Sequence, residues 1–148
     1  WNELEENIKY LGTVNNTVVK LAPTISVFNI LEFLDLAKWL TDNRISRLRP
    51  VPSYHILHGP NFQCITVLPK ETKQFITNTY NKWFEDSRWG DYYRKEFSPI
   101  LEFMNSKDDS HLLPELKKHT SVLDKNRNQN IRDFIPWLAD ILDGIKTD

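Results

Sequence analysis

Two β-prone runs carry the residues whose types and placing suit ligand chemistry. Thr24, Ser26 and Asn29 stand just beyond the first run, Thr17 to Leu21, and Leu57 and His58 close the second, Ser53 to His58, before Gly59-Pro60. Where such runs are parallel strands of an α/β fold, ligands bind at their carboxyl ends, because loops and helix N-termini turn toward one crevice there. The hydroxyls and the amide can hydrogen-bond a polar ligand, and an imidazole can carry a proton near neutral pH. Each residue also has a plain structural alternative. Asn29 can cap a helix, Thr24 and Ser26 can serve a turn, and His58 can be a hydrogen-bonded strand terminus.

Other chemistry is poorly provided for. A single cysteine excludes a disulfide framework, a four-cysteine zinc site and an all-cysteine iron–sulfur site within this chain. Cys64 lies in an apolar run and reads as a small buried hydrophobe. Glu115 and His119 share a helix face at i, i+4, but two ligands without a third leave a metal site incomplete, and His55 and His111 have no partner at ligand spacing. The glycines at 12, 59, 90 and 144 are scattered, so no phosphate-cradling loop is present. Arg44, Arg47, Arg49, Arg88, Arg94, Arg127 and Arg132 with Trp83, Trp89, Tyr92 and Tyr93 contain the ingredients for stacking single-stranded nucleic acid. Acidic Glu85, Asp86, Asp91 and Glu96 interrupt them, which favours core packing of these aromatics and leaves no strong nucleic-acid signal. The balance of 19 Lys and Arg against 20 Asp and Glu supplies no long-range attraction for a polyanion or an anionic membrane.

The elements that must position these residues follow from periodicity. Leu4, Ile8 and Leu11 at i, i+4 and i+7 predict a short amphipathic helix closed by Gly12. Asn29 followed by Glu32 predicts a capping box at the start of a helix over about 30–42. A strand, this helix and a second strand in that order predict a parallel pair, with Val18–Leu21 beside Ile56–Leu57. Arg44, Arg47 and Arg49 fall in a connector ended by Pro50, and Phe62 to Leu68 reads as a further β-prone run stopped by Pro69. Beyond it the pattern is helical throughout: Phe75 to Phe84, Tyr92 to Met104, Leu112 to Leu123 and Phe134 to Ile145.

With hydrophobic residues at 40% and charged residues at 26%, the composition is that of a folded domain. No apolar stretch is long enough to span a bilayer, so no membrane partner is expected. The opening Trp1 and a lone Met at 104 predict a piece of a longer polypeptide. Two or three strands make a poor open sheet by themselves, so the missing N-terminal part of the same polypeptide is the expected partner. An unpaired strand edge is expected near Val18–Leu21.

Several longer passages carry a family likeness. Trp-x-x-Leu-Glu-Glu-Asn-Ile-Lys-Tyr-Leu at 1–11, Leu-Ala-Pro-Thr-Ile-Ser-Val-Phe-Asn-Ile-Leu-Glu-Phe at 21–33 and Val-Leu-Pro-Lys-Glu at 67–71 stand in the body of the chain. Asp-Ser-His-Leu-Leu-Pro-Glu-Leu at 109–116, Lys-His-Thr-x-x-Leu-Asp-Lys-x-Arg at 118–127 and Phe-Ile-Pro-Trp-Leu at 134–138 stand in the tail. Together they resemble the C-terminal half of radical S-adenosylmethionine (radical SAM) proteins, most nearly the twitch-domain group often met in phage genomes.

The resemblance implies an α/β fold: the last two β/α units of a partial (β/α)6 TIM-like barrel over residues 1–69, then an all-helical C-terminal extension over 70–148. In that family a [4Fe-4S] cluster, held by a Cys-x-x-x-Cys-x-x-Cys loop, cleaves S-adenosylmethionine reductively to a 5′-deoxyadenosyl radical, which abstracts hydrogen from a substrate. The resemblance places Thr24, Ser26 and Asn29 near the ribose or amino-acid group of S-adenosylmethionine, and Leu57 and His58 near its adenine. The cluster cysteines and the Gly-Gly-Glu segment are missing here, so the cofactors belong to the full-length parent and none is bound by this chain alone. The substrate, whether peptide, nucleotide or sugar, is left open, and the implied location is the cytoplasm of a bacterial or phage-infected cell. A non-catalytic α/β interaction module, or a phage accessory protein, is the alternative.

Overall fold

A computed structural model describes residues 1–49 and 51–145; Pro50, expected to end the arginine connector, and residues 146–148 of the expected extension lie outside them. The chain divides into two compact units, one of Trp1–Ile25 with Asn29–His55, the other of Ser26–Phe28 with Ile56–Asp148.

In the first unit, α1 (Asn2–Leu11) buries Ile8, and its end is fixed by space rather than by handedness. Gly12 has an ordinary right-handed φ of −63°, but a Cβ there would stand 2.6 Å from Ile45 Cγ2 and 2.8 Å from the Ser46 carbonyl oxygen. Helix α2 (Glu32–Asn43) forms where the periodicity predicts it, with Phe33, Leu34, Ala37 and Leu40 as its buried stripe. Its first turn departs from the expected box. The N-cap is Leu31, with no side-chain capping bond, while the Asn29 amide donates to the Thr24 carbonyl oxygen at 2.9 Å.

Strands β1 (Thr24–Ile25) and β2 (His55–Ile56) flank α2 in sequence and form a two-stranded parallel sheet. The His55 N–H donates to the Pro23 carbonyl oxygen at 3.1 Å. This strand–helix–strand order agrees with the expectation, but both strands are shorter and the first lies further along the chain. Thr17–Leu21 is not a strand: none of its five residues is buried, Val18 is 68% exposed, and Val19 makes a single parallel bridge to Leu48. β-Branched residues favour a strand through packing on a half-buried surface, and here that surface is absent.

The second unit is built of helices. Helices α3 (Lys70–Asp86), α4 (Gly90–Asn105), α5 (Leu113–Arg127) and α6 (Pro136–Asp143) match the four predicted segments with ends shifted by a few residues. The expected strand over Phe62–Leu68 is instead two single 3₁₀ turns, Asn61–Gln63 and Ile65–Val67. Residues 64–68 are buried without interruption, a pattern that cannot distinguish a strand from other buried backbone. Local i to i+3 bonds, such as Cys64 N–H to the Asn61 carbonyl and Val67 N–H to the Cys64 carbonyl, satisfy this run where no ladder is available.

α3 and α4 form an antiparallel-type hairpin around interlocked aromatics. Trp83 lies 4.6 Å from Tyr93 and is stacked on Phe97 at 6.1 Å, while Tyr80 meets Phe84 edge to face. Ile76, Ile100 and Met104 are fully buried with them. The turn between the helices admits no side chain at its end, because a Cβ on Gly90 would fall 1.8 Å from the Phe84 carbonyl oxygen. Gly90→Ala should therefore lower unfolding free energy by about 1–3 kcal/mol or more in urea denaturation, as overpacking does. Gly59→Ala, whose Cβ would meet nothing within 4 Å, should stay within about 0.5 kcal/mol of the parent.

Candidate functional site

The strand-end residues fall into two groups. Thr24 is exposed in the first unit, where its carbonyl accepts the bond from Asn29. Ser26 is buried in the second unit, and its Oγ accepts a bond from the Phe28 N–H at 3.3 Å, a hydroxyl-bridged turn. Leu57 is half-buried and His58 exposed, with the His58 imidazole edge-on to Phe103 of α4 at 4.8 Å. The polar groups of Ser26 and Asn29 thus have work inside the fold, whereas the Thr24 side chain and His58 face solvent.

The other sequence candidates have definite roles. Cys64 is buried, its thiol donates to the Pro60 carbonyl oxygen at 3.6 Å, and burial pushes its pKa up, which disfavours the thiolate. His119 accepts a hydrogen bond from the Gln63 amide at 3.1 Å and packs beside Phe62. Among the described residues no group of three His, Cys, Asp or Glu is gathered to hold a metal ion. None of the described helices is long and apolar enough to cross a membrane.

The arginines do not converge. Arg47 donates to the Val14 carbonyl and to Asn15 Oδ1, Arg94 sits over Phe84 and donates to Asn81, and Arg132 joins Asp140 and Asp143. Trp83 and Tyr93 belong to the α3–α4 core as expected, while Trp89 and Tyr92 are about half exposed.

A polar knot in the second unit was not foreseen from the sequence. Thr66 Oγ1 donates to the Asp109 carboxylate at 2.7 Å, Lys107 Nζ meets the same carboxylate at 2.8 Å, and Lys73 Nζ donates to the Lys107 carbonyl at 2.7 Å. The Asp109 N–H closes the knot on the Thr66 carbonyl at 3.2 Å. Lys73 is only 7% exposed, and desolvation lowers its pKa against the nearby charges of Asp108 and Asp109. The bonds from Lys107 and Thr66 hold Asp109 below the ordinary carboxylate range. Together these groups pin the 106–109 segment to the buried 3₁₀ turn at Ile65–Val67. Nothing in residue spacing signals this, because Thr66 and Lys73 are 43 and 34 positions from Asp109 and Lys107, the groups they bond.

Comparison with protein-family models, with curated proteins and with solved structures finds no match to the chain.

The knot has a testable acid dependence. An unfolded Asp titrates near about 3.9, so the native Asp109 carboxylate stabilises the fold above that pH, and its contribution fades as pH falls through its lowered native value. Asp109→Asn should cost about 1 kcal/mol near neutral pH, by urea denaturation, and should flatten the loss of stability on acidification below about pH 4.

Proposed function

We propose that the chain is a C-terminal portion of a radical SAM protein, with the β1–α2–β2 segment supplying the last two β/α units of a partial barrel and α3–α6 its helical extension. The observation that carries the reading is the parallel pairing of β1 and β2 on either side of α2 in the sequence; Thr24 opens β1 and does not stand at its carboxyl end, while His58 is exposed two residues beyond β2. The resemblance of the sequence supplies the rest. In this reading the protein is cytoplasmic, and the remaining barrel strands come from the preceding part of the polypeptide.

The four-iron cluster does not fit the residues present. Such clusters are held by thiolates, and the one cysteine is buried, engaged with the Pro60 carbonyl and raised in pKa. The cluster ligands therefore belong to the preceding chain. Toward S-adenosylmethionine the second unit offers the His58 imidazole and the half-buried Leu57, and the first unit by itself offers the Thr24 hydroxyl. When bound and cleaved, that cofactor supplies hydrogen abstraction from a substrate. The residues of this chain would bind and orient its adenosyl group, with the Asn29 amide holding the Thr24 carbonyl in the first unit.

A non-catalytic α/β interaction module is the competing reading, favoured by the local bonds that already employ Ser26 Oγ and the Asn29 amide.

The coding sequence upstream of Trp1 separates the two. The radical SAM reading expects an in-frame Cys-x-x-x-Cys-x-x-Cys segment, and the longer polypeptide, reconstituted anaerobically with iron and sulfide, should show four-iron absorption and cleave S-adenosylmethionine when reduced. A start codon immediately before Trp1, or a parent lacking those cysteines, would overturn it.

A further inference from the structure

The aromatics around the α3–α4 turn divide into two sets. Trp83 and Tyr93 pack against each other inside the hairpin, whereas Trp89 is 52% and Tyr92 49% exposed at the start of α4. A hollow of about 490 Å³ lies beside the exposed pair, within the roughly 300–1,000 Å³ usual for small-molecule sites. Glu85, Arg88, Asp91 and Arg94 line it as well. The close turn at Gly90 brings the end of α3 against the start of α4, and so gathers residues of both helices around one space.

These charged groups are not paired with one another. Among the described residues Glu85, Arg88 and Asp91 form no ion pair, although both signs of charge stand around the same hollow. The Arg88 guanidinium lies over the Trp89 ring at 5.6 Å. Arg94 gives one N–H group to Asn81 Oδ1 and keeps others to donate. A cationic ligand would compete with Arg88 for the Trp89 face and would meet Arg94. A bare anion would face two carboxylates and leave both rings unused. The lining is matched by a molecule with a flat ring to stack, an N–H edge for a carboxylate and a negative group for an arginine.

Nucleotides carry all three, and one base suits the carboxylates best. Guanine presents N1–H beside its N2 amino group, two adjacent donors that the two oxygens of a carboxylate can accept together. Adenine and cytosine present a donor beside an acceptor there, and uracil a donor between two acceptors. We propose that the hollow at the α3–α4 turn binds a guanine nucleotide, with the base stacked on Trp89, its donor edge on Glu85 or Asp91, and its phosphate on Arg88 and Arg94. The site lies wholly within the helical unit and does not depend on the radical SAM reading.

The test is a titration of the isotope-labelled full chain with guanosine monophosphate, adenosine monophosphate, inorganic phosphate and the single-stranded RNA pentamer UUGUU. It is read at the Trp89 indole N–H, the signal lost in Trp89→Phe. A saturable shift with the guanine nucleotide is expected, at an affinity about tenfold or more above that for the adenine nucleotide. Tighter binding of the pentamer than of the free nucleotide identifies single-stranded RNA as the source, and equal or weaker binding identifies the free nucleotide. Arg88→Gln should weaken binding about tenfold, and either Glu85→Gln or Asp91→Asn should abolish the preference for guanine. All three positions are exposed, so the spectra should stay dispersed. The proposal is overturned by no saturable shift with guanosine monophosphate or the pentamer, by equal binding of the two nucleotides, or by an equal response to inorganic phosphate. Unchanged binding in a folded Arg88→Gln protein, or a guanine preference that survives both carboxylate changes, also overturns it.

Discussion

The helical unit depends on how closely α3 can turn into α4. With the Phe84 carbonyl oxygen 1.8 Å from where a Gly90 Cβ would be, the backbone itself is the contact surface, and the hairpin closes only because that position has no side chain. This closeness sets the register of everything beyond the turn. Trp83 reaches Tyr93 and Phe97, and the stripe of Ile76 and Tyr80 is buried along with Ile100 and Met104. Aromatic pairs at such distances add about 0.5–1.5 kcal/mol each beyond simple burial, so the register is energetically specified and not merely permitted.

A second constraint holds the non-helical stretch in place. The buried run 64–68 has no strand to pair with along its length, so it must spend its backbone groups on 3₁₀ turns and its one buried hydroxyl, Thr66, on Asp109. The knot of Thr66, Lys73, Lys107 and Asp109 answers that need. It also explains a lysine that is almost completely buried: its ammonium sits on the Lys107 carbonyl with two carboxylates near by. A buried charge is tolerated only when paired and bonded in this way.

Helices were legible in the sequence because each carries its own evidence, an apolar stripe at a period that no other element shares. Leu31 to Leu40 and Phe75 to Phe84 needed no knowledge of their neighbours. Strands were less so. Thr17–Leu21 and Phe62–Leu68 have the right residue types, yet a strand requires a partner, and the partners are decided by packing at a distance: Val19 finds one bridge and residues 62–68 find no ladder. The candidate site shares this limit. The hydroxyl and amide residues after the first β-prone run were readable as polar groups at a chain reversal, but whether each bonds a ligand or its own backbone turns on geometry, and Ser26 and Asn29 bond locally.

The same reasoning explains why α5 escaped notice. Its polar stripe of Lys117, Thr120 and Asp124 resembles the solvated face of any surface helix, since alternating charges and hydroxyls are what such faces contain. Packing inverts that meaning. Set against Ala139 and Leu142, the stripe becomes the lining of a hollow between α5 and α6, and a threonine that would be unremarkable in water becomes a buried hydroxyl without a partner. Only Thr120 of the stripe is buried with its hydroxyl unbonded, while Lys117 and Asp124 stay half-buried and bond to the Ile145 carbonyl and the Ile131 N–H, so the cost of burying polar groups here falls on one hydroxyl and not on the charges.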